Sequence, residues 1–178
     1  MTRPLSHLKG WADRTFLGRG VAPAQAAAVV VGTPMTPASG PVDVIVPVYR
    51  GLAETRLCLE SVLAARNDGS YRLIVINDAS PEPELTAWLR ELQHRDDRVV
   101  LVENEHNLGF VGTVNRGMAM SESHDVILLN SDTEVANDWL DRLKRAAYSD
   151  SRVGTVTPFS NNATICSYPR FCRDNTVP

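Results

Sequence analysis

Five short apolar runs punctuate the chain, and most close on polar residues. VDVIVPVY (42–49), YRLIVIND (71–78), RVVLVEN (98–104), DVILLN (125–130) and VGTVTP (153–158) are rich in β-branched residues and predict strands. Between them, apolar residues recur at helical spacing. LAETRLCLESVLAA (52–65) sets Leu52, Leu59, Val62 and Leu63 on one side. PEPELTAWLRELQH (81–94) opens with prolines and carries Leu85, Trp88, Leu89 and Leu92 at the same spacing. GFVGTVNRGMAMS (109–121) reads as a helix despite its glycines. ANDWLDRLKRAAY (136–148) reads as a helix that Asn137 or Asp138 can cap. Strand and helix alternate throughout. Near-continuous apolar strands imply burial on both faces, hence an α/β fold with a mostly parallel sheet flanked by helices.

The pattern also divides the chain. Residues 20–41 are rich in Ala, Pro, Gly and Thr without periodicity, and read as a linker. Residues 1–41 are therefore an N-terminal extension and linker. The core runs over 42–158, and 159–178 begin a further segment. Within residues 1–20, Leu5, Leu8, Trp11 and Thr15 fall at helical spacing among Arg3, Lys9, Arg14 and Arg19. Two readings stay open there: a helix packed on its own domain or a partner, or a basic amphipathic segment lying on an anionic membrane.

Composition narrows the class. The longest apolar stretch, Ala26–Val31, falls far short of the roughly 20 residues that span a bilayer. The N-terminus lacks the continuous apolar region of a secretory signal. A cytoplasmic protein is expected, peripheral to the inner face of the membrane if residues 1–20 bind there. The formal charge of −3, with signs interspersed, gives no nucleic-acid footprint. Three cysteines (Cys58, Cys166 and Cys172) with no C-x-x-C pair support neither a disulfide framework nor a zinc ribbon. Free, buried or half-buried thiols in a reducing compartment are expected.

In such sheets, ligands gather beyond the carboxyl ends of the strands. The residues to read are thus Pro47–Arg50, Asn77–Ser80, Glu103–Gly109, Asn130–Glu134 and Pro158–Asn162. No G-x-G-x-x-G follows the first strand, and no P-loop occurs anywhere. The first strand ends in Pro-Val-Tyr-Arg, which argues against a phospho-accepting receiver domain. Instead, Asp78 follows the second strand and Asp132 the fourth. A strand-end Asp can accept from a pyrimidine N–H or bind ribose hydroxyls. Another can hold Mg²⁺ or Mn²⁺, which need only one or two carboxylates when phosphates complete the shell. The helix starting at Gly109 offers free N–H groups and its positive dipole end to an anion. Each feature also has a plainer reading. Asp78 and Ser80 can cap the helix near Pro81, Asn107-Leu108-Gly109 can be a turn, and Glu134 reads as a turn residue. His106 has no Cys or His neighbour and is given no role. What favours the chemical reading is that one sheet edge collects all of them.

The runs VDVIVPVYRG, IVINDAS, VENEHNLGFVGTVNRGM and VILLNSDTEVANDWLDRL together resemble the family 2 glycosyltransferases of GT-A (Rossmann-like) fold. The resemblance covers about residues 42–158. TPFSNNATICSYP looks like a branch of bacterial sugar transferases with NSD- or NPD-type motifs. The resemblance implies that Pro47, Val48 and Tyr49 line the base and ribose, and that Asp78 contacts the base, a pyrimidine. Asn107 and Gly109 would lie near the nucleotide, with Asn115 facing the same cleft. Asn130-Ser131-Asp132 stands where the family carries its D-x-D motif, so Asp132 would hold the cation on the donor diphosphate. Asn130 departs from the family's first Asp and brings no charge.

The activity implied is inverting transfer of a sugar from a UDP-, dTDP- or GDP-linked donor to an acceptor hydroxyl of a glycan or lipid-linked acceptor, as in polysaccharide biosynthesis. Residues 159–178 would begin the acceptor side. The family's base is an Asp or Glu well downstream of the metal motif. Here only Asp138, Asp141, Asp150 and Asp174 follow Glu134, none in the family context. The sequence thus predicts an incomplete domain, a donor-binding half whose base lies beyond Pro178. Its exposed sheet edge would need a missing C-terminal segment or a second copy of the chain. The alternative is a non-catalytic nucleotide-binding or assembly module of the same fold. Asn130 and the missing base favour that alternative; Asp78 and Asp132 favour the enzyme.

Overall fold

The computed structural model describes residues 41–163 and 166–175, all within one compact unit, Pro34–Pro178. The extension before Pro41, with its amphipathic segment, lies outside the described residues. Four strands form: β1 (Val42–Val48), β2 (Tyr71–Asn77), β3 (Val99–Glu103) and β4 (Asp125–Leu128). Four helices alternate with them: α1 (Leu52–Ala64), α2 (Pro83–Arg95), α3 (Gly109–Met118) and α4 (Trp139–Ala147). All strand pairs are parallel, in the order β3-β2-β1-β4. The α/β fold expected from the alternation is the one observed.

The two central strands are the most apolar, because both of their faces are covered. Val42, Val44, Val46 and Val48 of β1 pack with Leu73 and Val75 against α1 and α2, through Leu59, Val62, Leu85, Trp88, Leu89 and Leu92. Leu140 of α4 joins the same cluster. The alternate positions Ile45, Ile74 and Ile76 face the other way, toward Val102 and Met120. The period of two thus sends successive residues into two different cores. α3 covers that second face closely. A Cβ on Gly117 would stand 2.7 Å from Ile45 Cγ2 and 2.8 Å from Ile76 Cδ1. Gly117→Val should therefore lower stability by about 1–3 kcal/mol through overpacking, read as a fall in Tm.

At the amino-terminal end of β1, Asp43 is fully buried on the α3 side of the sheet. Its carboxylate accepts from Arg72 Nε and Nη2 at 2.9 and 2.8 Å, meets His124 Nδ1 at 3.1 Å, and accepts from Ser121 Oγ. Nothing in the hydrophobic pattern predicts this cluster, which joins β1, β2 and the α3–β4 turn.

Three expectations need correction. Residues 153–158 form no strand: they are exposed and join no ladder. Val153, Thr155 and Val156 favour extended backbone, but among the described residues no strand pairs with them, and propensity alone does not make a sheet. β4 is a poorly covered edge strand, with Val126 37% and Leu128 48% exposed, rather than one buried on both faces. α4 starts at Trp139; Asp138 adopts a left-handed conformation and makes no side-chain cap, while Asn137 Oδ1 instead accepts from Arg66 N at 2.9 Å. Among the thiols, Cys58 is buried and Cys166 half-buried, but Cys172 is exposed.

Candidate functional site

The strand order has a physical consequence. The chain leaves β1 toward β2 and β3, then returns through α3 to place β4 on the other side of β1. The crevice between the carboxyl ends of β1 and β4 is the point where winding reverses, where open α/β sheets bind ligands. Two adjoining hollows lie there. The first, about 480 Å³, is lined by Pro47, Arg50, Gly51, Glu54, Phe110, Asn130, Ser131 and Asp132. The second, about 310 Å³, adds Val48, Tyr49, Asp78, Asn107, Gly109 and Thr113 to Pro47, Arg50, Phe110 and Ser131.

Of the ten residues singled out in the sequence, nine line these hollows: Pro47, Val48, Tyr49, Asp78, Asn107, Gly109, Asn130, Ser131 and Asp132. Asn115 does not: it sits exposed on α3, two residues past Thr113 and so on a different face of the helix.

Asp78 is held from several directions. Its N–H donates to Val48 O at 2.8 Å, continuing the β1–β2 ladder by one residue. Oδ1 accepts from Asn104 Nδ2 at 2.7 Å and Leu108 N at 2.8 Å. Asn104 Nδ2 also donates to Thr113 Oγ1 at 3.2 Å. Burial alone would raise the carboxyl's pKa. The hydrogen bonds from Leu108, Asn104, Thr113 and Gly109 outweigh it, so the pKa is lowered and the group stays ionised. Asp78 is therefore not the cap of α2. Nor does Ser80 cap it: Ser80 Oγ accepts from Glu82 N at 3.1 Å in the turn before the helix, whose N-cap has no side-chain hydrogen bond. The start of α3 is also partly committed: Leu108 N goes to Asp78, and Gly109 N donates to Asn107 Oδ1 at 2.8 Å. The positive end of α3 thus first stabilises Asp78, which limits what it offers an incoming anion.

The Asn130–Thr133 segment is a turn closed by Thr133 N donating to Asn130 O at 3.2 Å. Ser131 and Asp132 occupy its centre, so their side chains stand out from the sheet edge. Helix α1 anchors the turn from below. Cys58 Sγ donates to Asn130 O at 3.4 Å, and Ser61 Oγ accepts from Val135 N at 3.0 Å. Burial pushes the Cys58 thiol up to about 11, and the charges of Asp132 and Glu134 add to this. Cys58 is thus a protonated strut and no nucleophile at neutral pH.

Sequence reasoning missed Gly51, Glu54, Phe110 and Thr113 as lining residues, and it marked Arg50 only as the end of the strand-end stretch Pro47–Arg50, without a role. Gly51 has φ 90°, a left-handed conformation that favours glycine, and its N–H donates to both carboxylate oxygens of Glu82 at 3.2 and 3.3 Å. The turn signal Arg50-Gly51 directly after a strand was the visible clue.

The donor set at the turn decides what cation would fit. Among the described residues, no group of three or more His, Cys, Asp and Glu side chains could hold a metal by itself. Asp132, with Asn130 and Ser131 beside it, fits a hard cation that keeps water and takes its remaining oxygens from phosphates. It does not fit zinc, which asks for three or four protein ligands, commonly His and Cys.

A parallel sheet with a crevice of this kind defines an open, doubly wound α/β domain. The sequence matches the model for glycosyl transferase family 2 over residues 43–166, and the chain belongs to that family. It is 30% identical over 113 residues to the Sinorhizobium fredii protein y4gI, which covers 63% of this chain and 12% of that one. It is 27% identical over 124 residues to glycosyltransferase GlyA of Streptococcus pneumoniae, covering 68% of this chain and 17% of the relative. The chain thus spans less than a quarter of the length of the curated relatives it matches. In structure it is similar to the mannosyltransferase PcManGT of Pyrobaculum calidifontis, solved in complex with GDP-Man and Mn²⁺. That similarity has a TM-score of 0.53 at 19% identity, covering 64% of this chain and 35% of that one. The shared architecture is the GT-A glycosyltransferase fold. No helix among the described residues is long and apolar enough to cross a membrane.

Proposed function

We propose that this chain is the donor-binding part of an inverting, cation-dependent glycosyltransferase that moves a sugar from a nucleoside diphosphate to an acceptor hydroxyl of a glycan or lipid-linked acceptor. The observation that carries the reading is the meeting of Asp78 and Asp132 in adjoining hollows at the winding reversal between β1 and β4. The base and ribose lie in the smaller hollow, along Pro47, Val48 and Tyr49, with Asp78 accepting from the base. The diphosphate lies toward Asn130, Ser131 and Asp132. Mg²⁺ or Mn²⁺ on Asp132 offsets the charge that grows on the leaving diphosphate. The mannosyltransferase of the same fold, solved with GDP-Man and Mn²⁺, supports the use of a divalent cation. The rest of the cleft orients the donor and excludes water on the Pro47 and Phe110 side.

No acid downstream of the turn is assigned as the base that deprotonates the acceptor. Asp141 accepts from Asp68 N and Gly69 N at 2.8 and 3.1 Å, and Asp150 pairs with Arg152 at 2.9 Å. Both are used structurally. Hydrolysis of UDP-, dTDP- or GDP-sugars by this chain alone is therefore expected near the uncatalysed background, checked by release of nucleoside diphosphate. Turnover above roughly 1 s⁻¹, ordinary for an enzyme, would contradict this. The uncharged Asn130 supports a second reading, a binding module of the same fold that performs no transfer. The two readings separate when a general base is supplied in trans by added downstream sequence of the family: transfer appears under the first and not under the second.

A further inference from the structure

The two hollows share one boundary, formed by Pro47, Arg50, Phe110 and Ser131. On the donor-site reading above, a nucleotide whose base meets Asp78 and whose phosphates meet Asp132 must cross that boundary with its diphosphate. Among the described residues lining either hollow, Arg50 carries the one positive charge. We infer that Arg50 is the resident counter-charge for the donor's diphosphate, so that this site divides phosphate neutralisation between a guanidinium and a bound cation.

Three observations converge on this. First, Arg50 is exposed at the cleft and has no carboxylate partner among the described residues; its described contact is with the Tyr49 ring, 5.3 Å from the guanidinium carbon. Arg72, Arg90, Arg98 and Arg152 each meet an acid within 3 Å. Arg98 also lies over a ring, that of Tyr71, but it is paired with Asp96; Arg50 alone among these five rests on an aromatic face with no acid beside it, which orients a guanidinium without neutralising it. Second, its backbone is fixed. Gly51 follows in its left-handed conformation, tied to Glu82, so the β1–α1 turn presents Arg50 at one place. Third, the turn across the crevice is short of protein charge for a cation, because Asn130 is an amide. A guanidinium forks onto phosphate oxygens with two N–H groups and makes charge-assisted bonds of the stronger kind.

The test is titration of the chain with UDP, dTDP and GDP, and with the matching nucleosides, in Mn²⁺ and in EDTA. The parent is expected to bind nucleoside diphosphate in EDTA more tightly than the nucleoside. Arg50→Ala should weaken diphosphate binding about tenfold or more and leave nucleoside binding unchanged. Arg50→Lys should recover part of the loss, since the charge returns without the fork. An unchanged Tm for both variants, expected for an exposed side chain, shows that folding is not the cause. If the parent binds diphosphate but Arg50→Ala binds it as well, or loses nucleoside and diphosphate equally, Arg50 is not the counter-charge. If the parent binds neither class in any condition, the donor-site reading itself fails and this inference with it.

Discussion

Asp132→Ala should erase the affinity that Mn²⁺ or Mg²⁺ adds to nucleoside diphosphate binding, a loss on the order of ten- to a hundredfold. The size follows from the absence of a substitute. Asn130 supplies no charge, and among the described residues no cluster of acids could take over the ion. Glu54 borders the same hollow from α1, but it joins no described group of acids that could hold the ion. Asp132 is exposed at the tip of its turn, and that turn is closed by backbone, Cys58 and Ser61 rather than by its carboxylate. The variant should thus keep the parent's Tm and bind nucleotide in EDTA as the parent does. Calorimetric titration with and without Mn²⁺ measures both terms. A Mn²⁺ gain that survives in Asp132→Ala places the cation elsewhere.

A large, pH-dependent effect on stability is expected at Asp43. Burial would raise its pKa, but hydrogen bonds from Arg72, Ser121 and His124 and the charge of Arg72 overcome this, and it falls from 3.8 to about 2. A carboxyl depressed on folding stabilises the native state fully above its unfolded value. That contribution is lost as pH falls from about 4 through about 2. Asp43→Asn should therefore cost about 2 kcal/mol at neutral pH, with Arg72 left to solvent on its exposed side. The gap between parent and variant should close between pH 4 and pH 2. Urea unfolding across that range reads it directly; a gap that stays constant into acid would mean that charge at Asp43 is not what stabilises the fold. Because the cluster lies at the opposite end of β1 from the cleft, nucleotide binding at neutral pH should be unaffected.

Much of the architecture was legible because burial on two faces writes an unbroken apolar run. β1 and β2 have that signature, and α2 repeats its core face at Leu85, Trp88, Leu89 and Leu92. The strand-end rule then brought nine residues to one crevice without any knowledge of side-chain geometry. Where it failed, the cause was context. Val153–Val156 have strand-forming residues but, among the described residues, no strand to pair with. Asn115 has the right helix but the wrong face of it. Asp43 and Arg72 lie 29 residues apart, and only strand register brings them together. Arg50 fell inside a strand-end stretch without a role, and Glu54 outside every such stretch, for a different reason: charged residues next to a turn resemble any solvated surface until the rest of the cleft is known.

The central claim is that the β1–β4 crevice binds a nucleoside diphosphate through a divalent cation. Titrating the parent chain with UDP, dTDP and GDP, each with Mn²⁺ and with EDTA, tests it most directly. Saturable binding of at least one of the three, strengthened by Mn²⁺ and accompanied by a rise in Tm, is the expected result. No binding of any of the three in the presence of Mn²⁺ would contradict it.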